Sequence, residues 1–119
     1  MSIDTSPQAI ANAYLAVWNE ADRDARLKLT EQGWSAGATY RDPIMEGATP
    51  AGVADMIEAA RAQAPGFLFS LRGTPSGHHD VVRFSWDLKS AQDVLAAAGT
   101  DIVRLDPQGR IVEVIGFLD

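Results

Sequence analysis

Three polar residues stand beside apolar ones in this sequence: Tyr14, Asp42 and Asp101. Carboxylates and a phenol can move protons or hold a polar ligand atom when apolar walls keep water away. Tyr14 shares a helical-period stripe with Ile10, Val17 and Trp18, which also suits a core tyrosine whose hydroxyl finds a partner. Asp42 precedes Pro43, which biases it towards extended backbone, and the same pair suits a plain turn. Asp101 suits an exposed strand residue, yet it shares one strand face with Val103 and Leu105, a mildly unusual neighbourhood for a carboxylate.

Charged neighbours could alter these roles. Arg83, pointing into a pocket, would pair with Asp42 or Asp101 and keep the carboxylate ionised. The competing reading is a surface ion pair with Asp87 on the same strand face. His78 and His79 are adjacent, so on a strand their rings point to opposite faces and would not converge on one metal ion. His79 shares a face with Arg83 and could stand near a pocket mouth. Trp18, Trp34, Tyr40, Met56, Trp86 and Val103 are candidate pocket walls, each equally readable as core. No cofactor or metal is expected.

The elements that would position these residues follow from the pattern. Thr5 or Ser6 caps a first helix that Pro7 opens. Asp22 or Asp24 caps a second helix, ending at Gly33. Ala38 to Asp42 reads as a short strand. Thr49-Pro50 opens a third helix, with Val53, Met56, Ile57 and Ala60 on one face, and Pro65-Gly66 stops it. The period then becomes alternating. Strands are expected over Phe67–Arg72, His79–Leu88, Thr100–Asp106 and Ile111–Leu118, with turns at Gly73–Gly77 and Asp106–Gly109. Lys89 to Ala98 is ambiguous. Three helices with one early strand, followed by antiparallel strands, define an α+β fold. If that sheet is strongly curved, the helices close a cone with an apolar interior.

Composition narrows the function. The 119 residues fit a single domain over 1–119, and 46% hydrophobic content supports a real core. Sixteen acidic against ten basic residues, a net charge of −6, disfavour nucleic acid and anionic membranes as partners. With no cysteine, disulfides and thiolate chemistry are excluded. Met1 to Pro7 lacks a signal-peptide pattern and no apolar run is long enough to span a bilayer, so a cytoplasmic protein is the default.

Motifs over nearly the whole chain resemble the NTF2-like superfamily, which includes ketosteroid isomerases, SnoaL-like polyketide cyclases, dehydratases and limonene epoxide hydrolases. The stretch Ala11 to Asp22 resembles that superfamily's first helix and the Asn-x-x-Asp after it, here Asn19 and Asp22. Ala38-Thr39-Tyr40-Arg41-Asp42-Pro43 resembles the Asp-Pro strand of the isomerases, and Thr100–Leu105 with Gly109–Val112 the penultimate hairpin. The segments His79–Trp86 and Gly109–Phe117 are most similar to SnoaL-like proteins. The resemblance implies a cone-shaped fold, a small hydrophobic ligand and a homodimer formed through the sheet. It further implies Asp42 as general base, with Tyr14 and Asp101 as donors to an enolate oxygen. A non-catalytic binding or dimerisation module, and a hydrolase whose water is held by Asp101 and Arg83, are the alternatives.

Overall fold

The computed structural model describes residues 4–119, so the expectation that rests on the first three residues lies outside it. Three helices pack on a six-stranded sheet. They are α1 (Pro7–Asn19), α2 (Arg23–Gly33) and α3 (Thr49–Ala62). The strands are β1 (Trp34–Arg41), β2 (Glu46–Ala48), β3 (Leu68–His78), β4 (Val81–Lys89), β5 (Leu95–Leu105) and β6 (Ile111–Leu118). They lie in the order β2-β1-β6-β5-β4-β3. All neighbours are antiparallel except β1 and β6, which run parallel.

Local chemistry explains the helix starts. Ser6 caps α1 through its side-chain oxygen, which accepts from Ala9 N–H, with Pro7 in the first turn. Asp22 caps α2 in the same way through Ala25 N–H. At α3 the Thr49 hydroxyl accepts from Gly52 N–H. The Asn19 side chain makes reciprocal hydrogen bonds with Phe69, giving to its carbonyl at 2.9 Å and accepting from its N–H at 2.8 Å. The two ends of the Asn-x-x-Asp motif therefore fasten α1 to β3 and start α2.

Buried Arg26 joins the helices. Its guanidinium gives hydrogen bonds to the Glu20 carbonyl and pairs with Glu58 on α3. Satisfying both carbonyl and carboxylate is what makes an arginine tolerable at such a buried position.

The structure corrects several expected boundaries. The early strand begins at Trp34, and the short β2 pairs with it. Gly73 to Gly77 is no turn: β3 continues to His78, and the glycine-rich stretch takes up a shift in register between Arg72 and Ser76. Gly73, at φ 74°, permits that irregularity. The β3–β4 turn falls instead at His79 and Asp80, with His79 itself at φ 50°. The ambiguous segment resolves into a turn at Ser90, whose hydroxyl accepts from Gln92 and Val94 N–H, followed by β5 from Leu95.

The core lies between the helices and the inner sheet face. Tyr14 and Trp18 from α1 and Val53 and Ile57 from α3 meet Val82, Phe84, Val103 and Val114 there. Strand alternation sets this face. Val82, Phe84 and Trp86 point inward, so Arg83 and Ser85 point out.

Candidate functional site

The register brings the candidate residues to one place. On β5, Asp101 faces the interior, opposite Phe84 on β4 and Gly116 on β6. On the other side of β6, β1 supplies Tyr40, and Asp42 follows that strand. Gly116 is the floor between them. A Cβ there would stand 2.8 Å from Asp101 Oδ1 and 3.1 Å from Asp42 Cβ. Any side chain would therefore occupy the space that lets the two carboxyl groups approach.

Asp101 is 3% exposed, and its Oδ2 accepts a 2.6 Å hydrogen bond from the Tyr14 hydroxyl. Asp42 is held by its own turn. Its Oδ1 accepts from the backbone N–H groups of Ile44 and Met45 at 2.9 and 3.0 Å. Its Oδ2 accepts from the Tyr40 hydroxyl at 2.5 Å. Pro43 shapes this turn, so one dipeptide fixes both the strand end and the carboxylate.

The environment separates the roles of the acids. Burial pushes Asp101 up to about 6, and the charge of Asp42 adds to this. The Tyr14 hydrogen bond and the nearby Trp86 indole oppose the rise without cancelling it. Burial, then the charge of Asp101, raises the Tyr14 phenol well above its usual range. Tyr40 moves upward for the same first reason. Both tyrosines thus remain donors. The Asp42 carboxyl receives three hydrogen bonds, two of them from backbone N–H groups.

These groups line one end of a cavity of about 240 Å³. Leu15, Trp18, Phe69, Trp86 and Leu88 form apolar walls, and Ile44 and Leu118 stand towards solvent. A cavity of roughly 150 Å³ can hold one benzene ring, so there is space here for a molecule of one or two rings.

Tyr14, Asp42 and Asp101 all line this cavity, with Trp18, Tyr40 and Trp86. The other sequence candidates do not. Trp34 lies behind Tyr14, its ring stacked at 6.1 Å between centroids. Val103 is fully buried in the core. Met56 packs over Gly47 of β2. Arg83 is exposed on the outer sheet face and gives a hydrogen bond to Ser76, because the alternation that buries Phe84 turns it outward. It pairs with neither cavity acid, nor with Asp87, which joins Arg72 instead. His79 is exposed in the β3–β4 turn, beside a shallow second hollow shared with Asp80 and Asp106. Among the described residues no group of three or more His, Cys, Asp or Glu side chains could hold a metal ion. None of the described helices is long and apolar enough to cross a membrane.

Gly116, beneath the acid pair, and Arg61, on the cavity wall, are not among the sequence candidates. Gly116 has no side chain to mark it, and its only signal was the Gly-Phe of the closing motif. Arg61 ends an otherwise ordinary amphipathic helix, and its direction depends on where that helix docks.

The SnoaL-like domain family matches residues 11–114. The chain belongs to the SnoaL-like family. A SnoaL-like protein from Agrobacterium tumefaciens, proposed to be an isomerase, superposes with a TM-score of 0.92 at 49% identity, covering 94% of this chain and 96% of that one. A SnoaL-like protein of unknown function from Burkholderia thailandensis gives 0.75 at 15% identity over 100% and 99% of the two chains. A proposed polyketide cyclase from Sinorhizobium meliloti gives 0.70 at 17% identity over 90% and 92%. The last two share the SnoaL-like fold alone. No curated protein matches the chain.

Proposed function

We propose that this SnoaL-like protein catalyses proton transfer next to a carbonyl group on a small apolar substrate, as an isomerase or a cyclase. One observation carries the reading: two carboxyl groups in unlike environments meet over Gly116 at the end of an apolar cavity. In the proposed reaction Asp42 accepts the proton from the carbon beside the carbonyl. The electrons of that C–H bond move onto the carbonyl oxygen. Protonated Asp101, oriented by Tyr14, donates to that oxygen as its charge develops. Asp42 then returns its proton to a different carbon and Asp101 regains its own, so composition is unchanged and a double bond has moved. If the enolate carbon attacks a second carbonyl of the same molecule, the product is a ring.

Burial raises the Asp101 carboxyl to about 6, so its acid form serves as donor on the acid side of neutrality and turnover should fall as pH rises through that value. The relative from Agrobacterium tumefaciens, itself proposed to be an isomerase, agrees with the reading. The test is turnover of a panel of β,γ-unsaturated ketones by the wild type, Asp42→Asn and Asp101→Asn. Loss of the base should lower the rate by about 10²–10⁴-fold, and loss of the donor by about 10²–10³-fold. Absence of turnover above background, or equal rates in wild type and Asp42→Asn, would reject it. Water activation by Asp101 and Arg83 is set aside, because Arg83 is on the outer face.

We also propose self-association through the outer sheet face. Ile102 and Ile115 lie side by side there, next to Thr100 and Phe117, and Phe117 is 56% exposed. Light scattering should give twice the chain mass, and Phe117→Glu should halve it.

A further inference from the structure

Arg61 is the one basic residue among those lining the cavity. It lies in the last turn of α3 and lines the chamber together with Gln63, Ala64 and Phe67, itself half-buried. One of its nitrogens is anchored, Nη1 giving a 2.8 Å hydrogen bond to the Trp18 carbonyl. Among the described residues the guanidinium forms no ion pair, and none of its other nitrogens gives a hydrogen bond. Glu58, one turn earlier, is taken by Arg26. A half-buried guanidinium held in place with free donors is a ready partner for a carboxylate.

The chamber lining thus combines two unlike polar groups with aromatic walls: Asp101 with Tyr14, which are buried, and Arg61, which is partly exposed. We infer that the substrate is a small keto acid, with its carbonyl at Asp101, which Tyr14 orients, and its carboxylate on Arg61. The inference rests on the proton-transfer reading for the carbonyl end and adds the anionic end. A carboxylate placed beside Asp101 would meet Asp42 and be repelled, which favours binding with the carboxylate on Arg61.

The probe is 4-oxo-4-phenylbutanoate, an aryl ketone with a carboxylate, compared by calorimetry at neutral pH with its uncharged primary amide. The acid should bind about tenfold more tightly than the amide to the wild type, as for one hydrogen-bonded charge pair. Arg61→Gln should remove that difference and leave the amide's affinity unchanged, while Arg61→Lys should retain part of it. Should Arg61→Gln fail to fold, salt decides on the wild type. Raising NaCl from about 20 to about 300 mM should weaken the acid several-fold and spare the amide. Equal binding of acid and amide by the wild type, or a preference that persists in Arg61→Gln, overturns the inference and leaves the carbonyl site standing. Failure of both probes to bind overturns the carbonyl site and this inference together.

Discussion

Tyr14 and Asp101, 87 positions apart, share a 2.6 Å hydrogen bond in which the phenol donates to a buried carboxyl group. The bond favours the ionised acid, while burial opposes it more strongly. Asp101 is therefore easier to protonate in the folded protein than in the unfolded chain.

Stability should consequently fall as pH rises. Between the ordinary carboxylate value of 3.8 and about 6, the folded chain holds a proton on Asp101 that the unfolded chain has released. The penalty is absent below this window and complete above it, on the order of 3 kcal/mol. Asp101→Asn keeps an oxygen for Tyr14 and carries no charge. It should melt higher than wild type above pH 7, by roughly 1–2 kcal/mol, and this advantage should vanish near pH 4. Thermal melts across that range check it.

Tyr14→Phe should push the Asp101 titration further upward, because it removes the hydrogen bond that lowers it. At pH 8, where the carboxylate would lose its donor, the cost should be about 1.5–3 kcal/mol. At pH 4 the cost should be smaller. Carboxyl-carbon NMR titration and denaturant melts read the two effects.

Gly116→Ala should crowd the site from below. Its Cβ would meet Asp101 Oδ1 at 2.8 Å, and the carboxyl group must move or the strand must shift. A loss of about 1–3 kcal/mol is expected for such overpacking, together with loss of ketone turnover. Melting and rate measurements on the one variant test both.

Arg26→Met should destabilise by about 1–3 kcal/mol, because the carbonyl of Glu20 loses its donors, whereas half-exposed Glu58 loses its ion pair at little cost. Arg83→Ala should change stability by less than about 0.5 kcal/mol and leave ketone turnover intact, since it is exposed on the outer face. Paired urea titrations of these two arginine variants separate a buried residue from a surface one.

Much of this architecture could be read from the sequence where local chemistry sets the outcome. The caps at Ser6 and Asp22, the Asp42-Pro43 strand end and the alternation of Val82, Phe84 and Trp86 are each decided within a few residues. Asp42 and Asp101 come together because strand register sets them on either side of Gly116, and Tyr14 reaches Asp101 from the buried stripe of α1. What could not be read depends on distant partners. The Gly73–Gly77 stretch has the composition of a turn, yet pairing with β4 carries it on as strand. Arg61 and Gly116 have significance only once α3 is docked and β6 lies between β1 and β5.

The placement of β6 also bears on how the molecule is assembled. Strands β3 to β6 follow one another as antiparallel neighbours and can close step by step. The parallel pairing of β1 with β6 instead joins Arg41 to Ile115, across most of the chain, and such distant closure is entropically slow. Asp42 follows β1 and Asp101 belongs to β5, so this last closure creates the acid pair. A folding intermediate that lacks it would have most of its sheet but no paired acids. In a refolding experiment, ligand binding should therefore recover later than β-sheet circular dichroism.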